Sequence, residues 1–153
     1  MLRRSLVRLS AGLLLGAGVV TSALAAGATR AEAQAQVAAA VNHVKKVGVD
    51  TATKDFNAAP EWKVNGMNVI LNEFKGTVLA SSLNERLIGK NTLESKDPAG
   101  KEFVKEMVAT AQKGEGWVDY QFINPQTKKL EERSMFVRRV PGFEGFVGVA
   151  ITK

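Results

Sequence analysis

The chain has 153 residues, 45% of them apolar and 24% charged, with no Cys and a single His, His43. That is the composition of an ordinary globular domain, long enough to bury roughly two-thirds of the surface its unfolded chain exposes. It excludes disulfide frameworks, thiolate metal sites, iron–sulfur clusters, cysteine nucleophiles and His-rich metal centres, and no cofactor is expected.

In chain order, Arg3, Arg4 and Arg8 precede an apolar run from Leu9 to Val20, which Ala23-Leu24-Ala25 follows. A basic start, an apolar middle and a small-residue cleavage site predict a signal peptide over residues 1–25. Cleavage after Ala25 leaves 128 residues with 18 Lys/Arg against 15 Asp/Glu, so the formal charge drops from +6 to +3. The competing reading is an uncleaved anchor; the short apolar run, rich in Gly and Ala, favours cleavage. The paired arginines leave the general secretory and the twin-arginine routes both open. No later run is long enough to span a bilayer, so a soluble periplasmic chain is expected.

Between Thr29 and Asn57, Val37, Val41, Val44, Gly48, Ala52 and Phe56 recur every three or four residues, which predicts a long helix with a bend near Gly48. Ala58-Ala59-Pro60 stops it. Met67 to Phe74 and Thr77 to Ala80 are apolar runs around Lys75-Gly76, the pattern of a hairpin. Ser81 to Lys96 is polar and without period, a long loop with at most one helical turn. Asp97 as N-cap, Pro98 in the first turn and Gly114 as terminator predict a second helix, with Phe103, Val104, Met107, Val108 and Ala111 on its apolar face.

Gly116 to Ile123, Leu130 to Val140 and Phe146 to Thr152 read as strands, separated by Asn124-Pro125 and Pro141-Gly142. Short links favour antiparallel neighbours. The fold class expected is α+β, one domain over residues 29–153, with a five-stranded antiparallel sheet and helices packed on it.

Residues that carry chemistry are few. His43 sits mid-helix beside Lys45 and Lys46, where helix packing explains it better than catalysis. Glu131 and Glu132 are adjacent on a strand and point to opposite faces, which makes them a poor acid/base pair and suggests that both are solvated. Gly114-Glu115-Gly116 follows a helix and precedes a strand, the reverse of the phosphate-binding order. With no activated nucleophile and no metal set, an enzyme is not expected. Lys128, Lys129, Arg133, Arg138 and Arg139 concentrate near the C-terminal hairpin, where a solvated face explains most of them, and at a net charge of +3 an exported chain is not expected to bind nucleic acid.

One cluster remains: Trp117, Tyr120, Phe122, Arg133 and Phe136, on two neighbouring strands. Aromatic walls and one guanidinium suit a small pocket that holds a carboxylate by paired hydrogen bonds. In the opposing reading Trp117, Phe122 and Phe136 are core and Arg133 is surface. Strand parity sets Arg133 and Phe136 on opposite faces unless a bulge intervenes.

The order of short motifs resembles the single Cache domains. Gly76-Thr77-Val78-Leu79-Ala80, Leu87-Ile88-Gly89-Lys90-Asn91, Asp97-Pro98-Ala99-Gly100-Lys101, Gly114-Glu115-Gly116-Trp117-Val118-Asp119-Tyr120, Asn124-Pro125 and Val137-Arg138-Arg139-Val140-Pro141-Gly142 follow in sequence over about residues 30 to 152. The resemblance implies a PAS-like extracytoplasmic sensory fold that binds small ligands, often short carboxylates, on one side of its sheet.

Carried over by position, the ligand-binding set is Ser81, Trp117, Tyr120, Phe122, Arg133 and Phe136. Ser81 stands where the family often has His, Phe122 where Trp is usual, Phe136 where Tyr is usual, and Arg133 where Lys is usual. These departures put the usual ligand preference in doubt, since fewer polar partners remain. The expectation is a periplasmic binding module for a short organic acid that carries no transmitter of its own and signals through a membrane receptor or kinase. It would form a homodimer through the Ala-rich N-terminal helix. The alternative is an accessory subunit with a filled or vestigial pocket.

Overall fold

The computed structural model describes residues 27–153; the signal peptide expected over residues 1–25 lies outside them. Thr29 starts the first helix through a reciprocal cap, its hydroxyl accepting from the Glu32 amide at 3.2 Å while the Glu32 carboxylate accepts from the Thr29 amide at 2.7 Å. Those bonds hold the Glu32 carboxyl below its ordinary pKa, the Thr29 backbone bond contributing most. Helix α1 (Arg30–Val47) buries Ala33, Val37, Ala40, Val41 and Val44 along one stripe.

The bend expected near Gly48 is a full break. Gly48 takes φ +84°, donates its amide to Val44 O and offers its carbonyl to Ala52 N, so it ends α1 and opens α2 (Val49–Ala58). His43 Nε2 and Asp55 Oδ2 then meet 2.7 Å apart between the two helices, and His43 packs against Phe56 and Trp62, which makes it a helix-packing residue.

Five strands follow: β1 (Asn68–Glu73), β2 (Val78–Ser81), β3 (Glu115–Ile123), β4 (Leu130–Arg139) and β5 (Gly145–Thr152). They form one antiparallel sheet in the order β2-β1-β5-β4-β3, the PAS-like α+β arrangement. The last strand lies between the two hairpins, so the early and late halves of the chain share one sheet.

Helix α3 is shorter than its sequence signals suggest. It spans Phe103–Gln112, while Asp97 to Lys101 form a tight loop before it. Asp97 therefore caps no helix: one carboxylate oxygen accepts from the amides of Ala99 and Lys101 at 3.0 and 2.9 Å, and the other from Gln121 N on β3 at 3.0 Å. A short acceptor side chain satisfies a turn as well as a helix start, and here it staples the loop to the sheet.

These bonds, Gln121 first, hold the Asp97 carboxyl below its ordinary value. A group shifted this way contributes stability above its unfolded pKa of about 4, and that contribution is lost as pH falls through the lower folded value. Asp97→Asn should lower Tm at neutral pH by several degrees and flatten the acid limb of a Tm-against-pH profile. An unchanged acid limb would show that the staple does not contribute.

The sheet has two apolar faces. Val69, Leu71, Phe136, Val147 and Val149 pack under α1 and α2, while Val118, Met135, Val137 and Phe146 pack against α3. At one edge Arg30 of α1 reaches Ser134, Ser134 donates to Asp119, and Lys153 pairs with Asp119, so the start of α1 is held near the end of β5.

Candidate ligand-binding site

Helix α3 covers only part of its sheet face, and the segment between β2 and α3 roofs the rest. Between them lies a cavity of about 930 Å³. Its floor takes alternate residues of the strands, among them Asn68, Ile70 and Asn72 of β1, Tyr120 and Phe122 of β3, and Arg133 of β4. Period-two alternation sends these side chains to the α3 face.

Arg133 is the cation on that floor, its side chain 26% exposed. Its Nε and Nη2 donate to one oxygen of Glu131 at 3.1 and 2.9 Å, and its guanidinium lies 4.3 Å from the centroid of the Phe122 ring. Glu131 thus engages two of the five N–H donors, and the guanidinium also reaches the Tyr120 hydroxyl, with the remaining N–H groups left for an anion. Glu131 is part-buried and paired, contrary to the solvated state expected for it; Asn124 and then Arg133 hold its carboxyl below the ordinary range. Glu132, pointing the other way, is exposed and accepts from Gln121.

Tyr120 stands beside Arg133, stacked on Phe103 of α3 at 4.9 Å and 8°. Burial pushes its phenol pKa up and the Arg133 charge opposes that shift in part, so the hydroxyl is neutral and able to donate at ordinary pH.

The other sequence candidates lie elsewhere. Trp117 and Phe136 face each other in register across β3 and β4, their rings 5.2 Å apart, on the α1 side of the sheet. Arg30 covers Trp117 at 4.3 Å. They miss the cavity because each stands an odd number of residues from Tyr120 or Arg133 on a strand with no bulge between them. Ser81 is fully buried and does not border the cavity; its hydroxyl bonds the Asn68 amide at 3.1 and 3.2 Å and so orients a residue that does. Of the six, Tyr120, Phe122 and Arg133 come together on the floor, Ser81 supports it from behind, and Trp117 and Phe136 belong to the opposite core.

Sequence reasoning missed Asn68 and Asn72. Their signal was present: Asn-Val-Ile-Leu-Asn places amides four apart on one face of a strand flanked by apolar residues, where Asn is uncommon. Asn72 is 3% exposed and its side-chain oxygen has no hydrogen-bond partner among the described residues. Such a group costs about 1–3 kcal/mol when left unpaired.

Three solved structures share this fold. A methyl-accepting chemotaxis protein from Vibrio parahaemolyticus aligns with a TM-score of 0.67 at 17% identity, over 80% of this chain and 86% of that one. The periplasmic sensor domain of a chemotaxis protein aligns at 0.66 and 23% identity, over 80% and 93% of the two chains. A Cache chemosensory domain described for carboxylic acid recognition aligns at 0.61 and 18% identity, over 78% and 86%. No curated protein sequence matches the chain. Residues 18–152 match the family described as Single Cache domain 2, and with the sheet order, the N-terminal helix and the half-roofed cavity in place, the chain belongs to the single Cache domains, a family of ligand-binding sensory domains in signal transduction.

Proposed function

We propose that this chain is an extracytoplasmic sensor that binds an organic acid in the cavity and works through a membrane receptor or kinase. The observation that supports it most is Arg133, a largely buried guanidinium on the cavity floor with unused donors beside the Tyr120 phenol. A carboxylate there would take the free N–H groups in a paired, charge-assisted arrangement, with Phe122 and Phe103 as apolar flanks. Nothing in this arrangement supplies a nucleophile, and binding alone accounts for it. A homodimer through α1 fits the exposed Ala31, Ala35 and Ala39, which allow close helix approach.

The Glu131 pairing favours a second reading, an accessory subunit whose cation is already neutralised. Thermal melting of the protein against a panel of carboxylates separates the two. A ligand at a hundred times its Kd adds about 2.7 kcal/mol, a Tm rise on the order of 8–16 °C. The rise should vanish in Arg133→Gln and grow in Glu131→Gln, which frees the guanidinium. No response to any acid would leave the accessory reading.

A further inference from the structure

The cavity extends well past Arg133, and strand register measures how far. Asn72 on β1 lies opposite Phe146 on β5, Phe146 lies opposite Arg139 on β4, and Arg139 is six residues beyond Arg133. Six residues of strand are about 20 Å, and two strand spacings of about 4.8 Å separate β4 from β1. Arg133 and Asn72 nevertheless border the same cavity. An acid of two to four carbons seated at one cannot touch the other.

The far end has its own chemistry. Asn72 is flanked in register by Val78 and Phe146, both apolar and both bordering the cavity. The next cation in that row, Arg139, is engaged by Glu144 at 3.0 Å and does not border the cavity. On the strand side the far end therefore presents Asn72, its buried oxygen unpartnered between two apolar neighbours and suited to accept from an uncharged hydroxyl or carboxamide, while Arg86, Thr92 and Ser95 border the cavity from the roofing segment. Between the ends, Ile70, Met135 and Met107 give an apolar path.

We propose that the ligand is an extended acid: its carboxylate at Arg133, a methylene or similar apolar body across the sheet, and an uncharged hydrogen-bonding group at its far end received by Asn72. This rests on the reading that Arg133 anchors an acid, and it names which acids. Asn72 sets the preference at the far end, and the two adaptable methionines accommodate the body.

The test is calorimetric titration of the full protein with 4-hydroxybutanoate, 6-hydroxyhexanoate, 8-hydroxyoctanoate and 10-hydroxydecanoate, each beside its unsubstituted parent acid. Affinity should rise along the series, and the member that spans the cavity should bind about tenfold tighter than its parent, as expected when a buried unpaired group gains its partner. Asn72→Leu, close in volume, should fold at least as stably and bring the affinity ratio of each hydroxy acid to its parent acid close to one. Arg133→Gln should weaken every member.

If all lengths bind alike through Arg133 and the hydroxyl adds nothing in the wild-type protein, the extended ligand is overturned while the acid sensor stands. If no member binds in an Arg133-dependent way, both readings are overturned. The ligand comparison needs no variant, so a misfolded Asn72→Leu would not rescue the proposal.

Discussion

Replacing Gly76 with Ala should destabilise the domain by about 2–5 kcal/mol and release the roof of the cavity. Two costs add. Gly76 takes φ +101°, and an L-residue at positive φ costs about 1–2 kcal/mol. A Cβ there would also stand 2.6 Å from Leu93 Cβ and 2.9 Å from Leu93 N, an overlap with backbone that adds about 1–3 kcal/mol. The close approach exists because the β1–β2 turn is where the roofing segment docks: Thr92 N donates to Gly76 O at 2.9 Å and the Asn91 side chain donates to Lys75 O at 2.9 Å.

Hydrogen exchange at the Thr92 amide should therefore accelerate in the variant more than exchange in β4, and any ligand-induced rise in Tm should shrink. Gly89→Ala is the matched control. Gly89 has φ +78°, but a Cβ added there would meet nothing within 4 Å, so only the backbone cost of about 1–2 kcal/mol applies. Equal effects from the two substitutions would show that the docking contact carries no weight.

Phe56→Ala should cost about 3–5 kcal/mol, a fall in Tm on the order of 10–20 °C. Phe56 is fully buried, with the Trp62 ring edge-on at 4.8 Å and the His43 ring at 5.8 Å. Its removal leaves a hole where α1, α2 and the Trp62 turn converge, a site that few neighbours can collapse to fill. Because this core lies on the face away from the cavity, the folded variant should keep the ligand response of the wild type. Urea denaturation followed by Trp fluorescence reads the first effect and thermal shift with ligand the second. A loss of ligand response at a temperature where the variant is fully folded would mean that the two faces are coupled.

Much of the architecture was legible from local chemistry. The strands stood out as apolar runs, Asn124-Pro125 and Pro141-Gly142 marked turns, and Lys75-Gly76 marked a hairpin. The errors were local signals with two physical solutions. Asp97-Pro98 suits a helix start, yet the same carboxylate satisfies the amides of a turn and of a neighbouring strand. Gly48 reads as a weak point in one helix, and only the packing of His43, Phe56 and Trp62 shows that it separates two.

The site divides the same way. Tyr120 and Phe122 could be grouped from spacing, because residues two apart share a strand face, while Arg133 joins them only through the register of β3 with β4. Parity also separated Phe136 from Arg133, but it does not say which face is sealed by helices and which holds a cavity. That depends on contacts far apart in sequence: β5 inserting between β1 and β4, α1 and α2 covering one face, and α3 leaving the other half-roofed. The sequence alone determined the five strands, the turns between them and the alternation of side chains along each strand, since these follow from neighbours within a few residues. Only the tertiary structure placed Asn72 and Arg133 on one cavity wall and Trp117 and Phe136 behind it, because strand order and helix docking are set by burial across the whole chain.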